Sequence, residues 1–242
     1  MIKLIENSRL PSVNFTDGFS VTKIKANLLA YGCNYSFLNV WCQQTEKGEI
    51  TALLQKLENN ISIIATKGAD FNEIKDFVFV VGFSSIQAQP IILTELGLKF
   101  KEYQVLEFKG SDQGTLPPYP NIKDVFSLLY AEKNQNIKPT DFEGFYVDLS
   151  HKIRKGFAAA ITTSNAVCVA SHIVNTSAVI SGVAVQNSAR GSGEGSNILK
   201  QMLNALGKRT VYVAAEETVV PFYIKNGFLK SHKIAIYETE GN

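Results

Sequence analysis

At 242 residues with 24 basic and 22 acidic side chains, a net charge of +2, the chain lacks the basic excess that binds nucleic acid or an anionic membrane. Hydrophobic residues make up 45% and charged residues 19%, which supports a packed core and excludes wholesale disorder. No apolar run approaches the roughly 18 residues of a membrane span, and Met1 to Leu10 lacks the continuous apolar core of a signal peptide. The expectation is a soluble, cytoplasmic protein with no membrane or nucleic-acid partner. Cys33, Cys42 and Cys168 form no Cys-x-x-Cys pair, and His151, His172 and His232 are scattered, so neither a disulfide framework nor a metal site is expected.

Val21, Ile24, Leu28 and Leu29 have helical spacing between a capping Ser20 and a terminating Gly32. Phe37 to Cys42 reads as a strand, and Ile50 to Leu54 and Ile61 to Ala65 bracket a hairpin turn at Glu58-Asn-Asn60. Asp70-Phe-Asn-Glu73 has capping-box spacing before a helix carrying Ile74, Phe77, Val78 and Val81. Phe83 to Leu93 and Lys99 to Phe108 read as strands. The run from Gly110 to Pro120, rich in proline and glycine, is the best domain boundary, dividing an N-terminal domain (1–110) from a C-terminal one (121–242).

Beyond the boundary, Asn121 caps a helix with Ile122, Val125, Phe126 and Leu129 inward. A second helix from about Thr140 turns Phe142, Phe145, Tyr146, Leu149 and Ile153 inward and ends at Gly156; Asp148 and His151 are neighbours on its other side. Phe157 to Thr162, Ala166 to His172 and Thr176 to Val185 are joined by short polar turns, which make an antiparallel meander. A helix through Ile198, Leu199, Met202, Leu203 and Leu206 follows, with Gly207 as its stop. A valine-rich strand, Pro221-Phe-Tyr-Ile-Lys-Asn-Gly-Phe228 and a last strand from Lys233 to Tyr237 complete the chain. The frame Phe-x4-Gly-Phe occurs at Phe77 and again at Phe222, each time ending a helix before a strand, which hints at an internal repeat.

Arg190-Gly-Ser-Gly-Glu-Gly195 joins the end of the meander to that helix. Alternate glycines let the backbone turn tightly, and the first N–H groups of the helix have no intrahelical partner, so the loop suits a phosphate or pyrophosphate, with Arg190 adding charge. A flexible glycine loop would read the same way. A nucleotide-hydrolysing P-loop is disfavoured because no Gly-Lys-Ser/Thr follows, and a dinucleotide fingerprint is disfavoured by the spacing and by the preceding meander.

Arg190-x-x-Gly193-x-Gly195 resembles the Arg/Gln-x-x-Gly-x-Gly/Ala signature of the GNAT superfamily of acyl-CoA-dependent N-acyltransferases, and Phe222-Tyr223-x-x-x-Gly227-Phe228 resembles that family's closing element. The resemblance implies an α+β fold: a C-terminal, mainly antiparallel mixed sheet flanked by helices, with a smaller N-terminal α/β domain similar to a degenerate copy of the same fold. It implies acetyl-CoA as donor and no metal. Arg190, Gly191, Ser192, Gly193, Glu194, Gly195 and Ser196 would hold the pyrophosphate, Val183, Ala184 and Val185 would pair with the pantetheine arm, and Tyr223 would protonate the departing thiolate. Asp148 and His151 stand where such proteins build acceptor pockets, for a small-molecule amine or a peptide. Two residues depart from the pattern. Glu194 replaces a usually apolar loop residue, and Glu216 stands where many members have an asparagine, which keeps open a non-catalytic CoA-binding module. The expected assembly is a monomer or a homodimer.

Overall fold

The structure, a computed structural model, describes residues 1–6, 15–33, 35–130 and 141–239. In chain order the first elements are β1 (Ile2–Leu4), α1 (Gly18–Tyr31), β2 (Leu38–Gln44), β3 (Ile50–Leu57), β4 (Asn60–Ala65), α2 (Phe71–Val81), β5 (Ser85–Ala88), α3 (Pro90–Glu95) and β6 (Lys101–Lys109). They are followed by α4 (Ile122–Tyr130), α5 (Phe142–Arg154), β7 (Ala159–Thr162), β8 (Ala166–Ile173), β9 (Ser177–Val185), α6 (Glu194–Leu206), β10 (Thr210–Ala215), α7 (Val220–Lys225) and β11 (Leu229–Glu238). Two compact units result, and neither is a simple half of the chain. Unit 1 holds Met1–Val105, Ala214–Val220 and Lys230–Asn242; unit 2 holds Leu106–Val213 and Pro221–Leu229.

In unit 1 the strand order is β1-β2-β3-β4-β5-β11. The β2-β3-β4 meander is antiparallel, β4 and β5 are parallel, and β11 runs antiparallel to β5, with Ala235 opposite Ala88. Strand alternation sends Leu54, Ile61, Ile63 and Ile86 to a core with Ile74 and Val78 of α2 and Ile92 of α3. It sends Val40, Leu53 and Ile64 to a second core with Ile24 and Leu28 of α1. Gly32 stops α1 as expected, but the cap at its start is Asp17, not Ser20. The buried Asp17 carboxylate accepts hydrogen bonds from the Ser20 N–H (2.9 Å) and His232 Nε2 (2.9 Å), and its second oxygen has no partner among the described residues. Burial alone would raise the Asp17 carboxyl; the bonds from His232 and Ser20 outweigh it and hold the group below its usual range.

The capping box at Asp70 is half formed. Asp70 accepts from Asn72 and Glu73 N–H, but Glu73 turns away to the chain's N-terminal amine (3.1 Å) and the Ile2 N–H (2.8 Å). Gln43 Oε1 takes the Asp70 N–H in its place (2.9 Å). The expected strand from Phe83 to Leu93 is two elements instead. It ends at Ala88 because Pro90, with its fixed φ and no N–H, occupies the first turn of α3.

In unit 2 the strand order is β10-β9-β8-β7. Asn121 Oδ1 caps α4 through the Lys123 N–H (3.1 Å). Thr140 lies outside the described residues; Asp141 caps α5. The C-terminus of α5 closes with a Schellman pair, Phe157 N–H to Lys152 O and Gly156 N–H to Ile153 O, with Gly156 at φ 77°. On this helix Leu149 is buried, whereas Tyr146 is exposed, contrary to its expected inward position. Ile122, Val125, Leu129 and Leu149 pack on Val167, Val169 and Ala184, so α4 and α5 cover one face of the sheet. The other face carries α6, whose Ile198, Leu199, Met202 and Leu206 are buried. The proline-rich stretch after β6 is packed rather than free: Gly110 and Gly114 approach the backbone at Gly207, where any side chain would collide.

Replacing Asp17 with alanine removes a cap and strands His232, and is expected to cost about 3 kcal/mol in urea denaturation near neutral pH. Because the folded Asp17 pKa lies below the unfolded one, its stabilisation is full above about pH 4 and is lost as pH falls through the folded value. The difference in stability between wild type and Asp17→Ala should shrink correspondingly in acid.

Candidate functional site

The site begins with an interrupted strand pair. β9 and β10 are parallel for Ser177↔Thr210, Ala178↔Val211 and Val179↔Tyr212, and then part. On the other side of β9 the register with β8 slips at Ala170↔Ile180 and recovers at His172↔Val179, which leaves Ser181 on β9 and Ser171 on β8 both unopposed. The backbone of Val183, Ala184 and Val185 therefore remains paired to β8 but has no partner strand on the β10 side. Ala184 belongs to the α4–α5 face, and Val185 faces α6, its Cγ2 lying beside Gly195.

The loop that follows makes one tight helical turn at Asn187–Ala189, then runs through Gly191 at φ 83° and Gly193 at φ 92°, both in the left-handed region where a side chain is strained. Arg190 Nε reaches back to Val185 O (3.3 Å), and Ser192 Oγ donates to Ala189 O (2.6 Å). Gly193 is the cap of α6, so the cap residue supplies no side-chain hydrogen bond to the helix N-terminus; the first backbone bond runs from Asn197 N–H to Gly193 O. The N–H groups of Glu194, Gly195 and Ser196 precede that bond, and the positive end of the helix dipole stands behind them. Glu194 occupies the first helical turn without capping it. A Cβ at Gly195 would lie 3.3 Å from Val185 Cγ2 and 3.4 Å from Phe222 Cε2, so a bare backbone there lets β9, α6 and α7 converge.

Tyr223 sits on α7 between Phe222 and Phe228, with ring centroids 5.1 and 5.4 Å away. It is 6% exposed, and no described residue hydrogen-bonds its hydroxyl. Burial pushes its phenol well above the usual value, and the neighbouring Cys168 adds to the shift. Cys168, opposite Val183 on β8 and fully buried, is itself pushed up by burial. This cysteine beside the tyrosine escaped the sequence reading, as did the register slip, although a glycine inside an apolar strand signals an irregularity there.

Asp148 pairs with Lys152 (3.0 Å), a lysine whose side chain is only 3% exposed. With His151 it lies on α5, on the sheet face opposite α6. Glu216, counted with unit 1, pairs with Lys101, and Glu217 with Lys230 (2.9 Å). Among the described residues no group of three or more His, Cys, Asp or Glu could hold a metal, and no helix is long and apolar enough to cross a membrane.

Residues 134–238 match the family model of an acetyltransferase (GNAT) domain. Over that stretch the chain is similar to a GNAT domain. Among solved structures, a GCN5-related N-acetyltransferase from Sphaerobacter thermophilus aligns at TM-score 0.57 and 12% identity, over 91% of this chain and 86% of that one. A GNAT-family acetyltransferase from Colwellia psychrerythraea aligns at 0.52 and 11% identity, over 99% and 100%. A tandem GNAT protein from the clavulanic acid biosynthesis pathway aligns at 0.51 and 10% identity, over the full length of both. These likenesses show the GNAT fold. In sequence, the Myosin-M heavy chain of Dictyostelium discoideum is 32% identical over 94 residues, which is 38% of this chain and 5% of that protein.

The loop geometry makes a direct prediction. Gly193→Ala, forced to keep a positive φ, should lower stability by about 1 kcal/mol in denaturant titration.

Proposed function

We propose that unit 2 is an acyl-CoA-dependent N-acyltransferase that transfers an acetyl group from acetyl-CoA to a primary amine in a ternary complex. The observation that carries this is the meeting of a parted strand with an uncapped helix N-terminus: β9 offers unpaired backbone beside a glycine loop whose N–H groups suit an anion. In this reading the backbone from Arg190 to Ser196 holds the pyrophosphate, and Val183 to Val185 pair with the amides of the pantetheine arm. A backbone N–H of β9 then stabilises the oxyanion formed when the neutral amine attacks the thioester carbonyl. The C–S bond breaks as the tetrahedral adduct collapses, Tyr223 gives its proton to the sulfur, and the proton shed by the attacking nitrogen passes to water, from which the phenol is restored. A phenol with a raised pKa keeps that proton at neutral pH, and it lies close to Phe222 and so to Gly195. Asp148 and His151 are proposed for acceptor binding, with Lys152 holding the Asp148 carboxylate in place.

Isothermal titration with acetyl-CoA should show saturable binding that Gly195→Val weakens, because its branched side chain would meet Val185 and Phe222. No binding at millimolar acetyl-CoA sinks the proposal. With an active amine, Tyr223→Phe should lower kcat by about 100-fold. The wild-type rate should fall as pH rises through the Tyr223 pKa, above the ordinary value near 10, and this alkaline limb should vanish in the variant. A second reading, a CoA-binding module without turnover, is favoured by Glu194 in the first turn of α6. Binding without thiol release across a broad panel of amines selects it.

We also infer that the N-terminal elements are a degenerate copy of the same fold. A helix, an antiparallel meander, a helix, a parallel strand, a short helix and a strand occur in that order twice, from α1 to β6 and from α5 to β11. This order pairs α2 with α6 and α3 with α7, so the repeat places Gly97 against Gly227 rather than Gly82 against Gly227. Leu93 then stands where the second copy has Tyr223, and Asp70 where it has Gly193.

A further inference from the structure

The first copy of the fold contains a fork of its own. β4 and β5 pair from Asn60↔Ser85 to Ser62↔Gln87 and then part, while β4 continues to Ala65. A cavity of about 490 Å³ opens in the mouth of this fork, within the range of small-molecule sites. Its walls are Phe15, Ile64, Phe71, Ile91 and Ile92, and Lys67 and Gln89 stand at its polar margin. We propose that this cavity binds a medium-length aliphatic carboxylate, in a site separate from the acyl-CoA cleft of unit 2.

The tail follows from the walls. A flexible alkyl chain entering the fork removes its own apolar surface, and that of the side chains around it, from water. The head follows from the donors. Neither the Lys67 ammonium nor the Gln89 carboxamide has a hydrogen-bond or ion-pair partner among the described residues, and Gln89 makes no cap bond to α3. A carboxylate accepts from both, with one bond charge-assisted.

The same geometry rejects a nucleotide. At the start of α2, where unit 2 has the open glycine cap, the Asp70 carboxylate already takes the N–H groups of Asn72 and Glu73 (3.0 Å each). Glu73 adds a second negative charge in that first turn, fixed by the Ile2 N–H and Gln43 Nε2. A pyrophosphate would find the donors taken and two carboxylates in the way. A single carboxylate bound at the margin of the cavity by Lys67 and Gln89 does not need the helix terminus.

Titration of sodium octanoate into the full chain, read by isothermal calorimetry, tests the proposal. One saturable site with a sub-millimolar dissociation constant is expected. Lys67→Glu and Ile91→Asp should each weaken it by about ten-fold or more, by reversing the charge at the margin or setting a charge in the wall. Both side chains are exposed, so unchanged thermal unfolding of the variants separates lost binding from lost folding. Coenzyme A should leave octanoate binding unchanged, and octylamine should not bind. Absence of saturable binding, binding indifferent to both variants, displacement by coenzyme A, or equal binding of octylamine each overturns the proposal.

Discussion

The candidate site depends on a parallel ladder that is not allowed to continue. Ser181 has no opposite residue on β8, and the strand leaves β10 directly before it, after Val179↔Tyr212. Buried or half-buried backbone polar groups without a strand partner must be satisfied by something else. The segment Val183 to Val185 is thereby left with a backbone edge that β10 does not pair. Both ends of α6 are then fixed against this interrupted sheet. At the N-terminus the lack of a side chain at Gly195 lets Val185 and Phe222 close in, and at the C-terminus Gly207 is wedged against Gly110 and Gly114. The helix that presents its N–H groups is therefore aimed by contacts that only glycine permits.

The two forked strand pairs are followed by helices whose caps differ. In unit 2 the helix after the meander starts at Gly193, which leaves its dipole and donors uncompensated by a side chain. In unit 1 the corresponding helix starts at Asp70, whose carboxylate satisfies the same class of donors internally. An internal carboxylate stabilises the helix and removes its attraction for an external anion.

Much of this was legible because the signals are local. Alternation gave the β3–β4 hairpin and the β7-β8-β9 meander, 3.6-residue spacing gave α6, and Gly32 and Gly207 marked helix ends by their positive φ. The break at Pro90 was equally local, and the apolar run from Phe83 to Leu93 concealed it. Other features depend on residues far apart in sequence. The cap of α1 is fixed by His232, 215 residues away, which is why Ser20 looked the better candidate. Lys152 reads as a solvated helix residue until the fold buries it beside Asp148. The placement of Cys168 against Tyr223 needs β8 and α7 brought together, and no periodicity announces that.

The membership of β11 in unit 1 has a consequence for how the molecule is made. Its residues 235–238 complete the sheet of that unit against β5, and His232 holds the carboxylate that starts α1. Both contributions come from the far end of the chain. During synthesis the first hundred residues must therefore wait, with one strand edge open and Asp17 unpaired, until residues 232–238 have emerged from the ribosome. Unit 1 begins before unit 2 and is completed after it, and an unpaired β5 edge in that interval is open to wrong pairing.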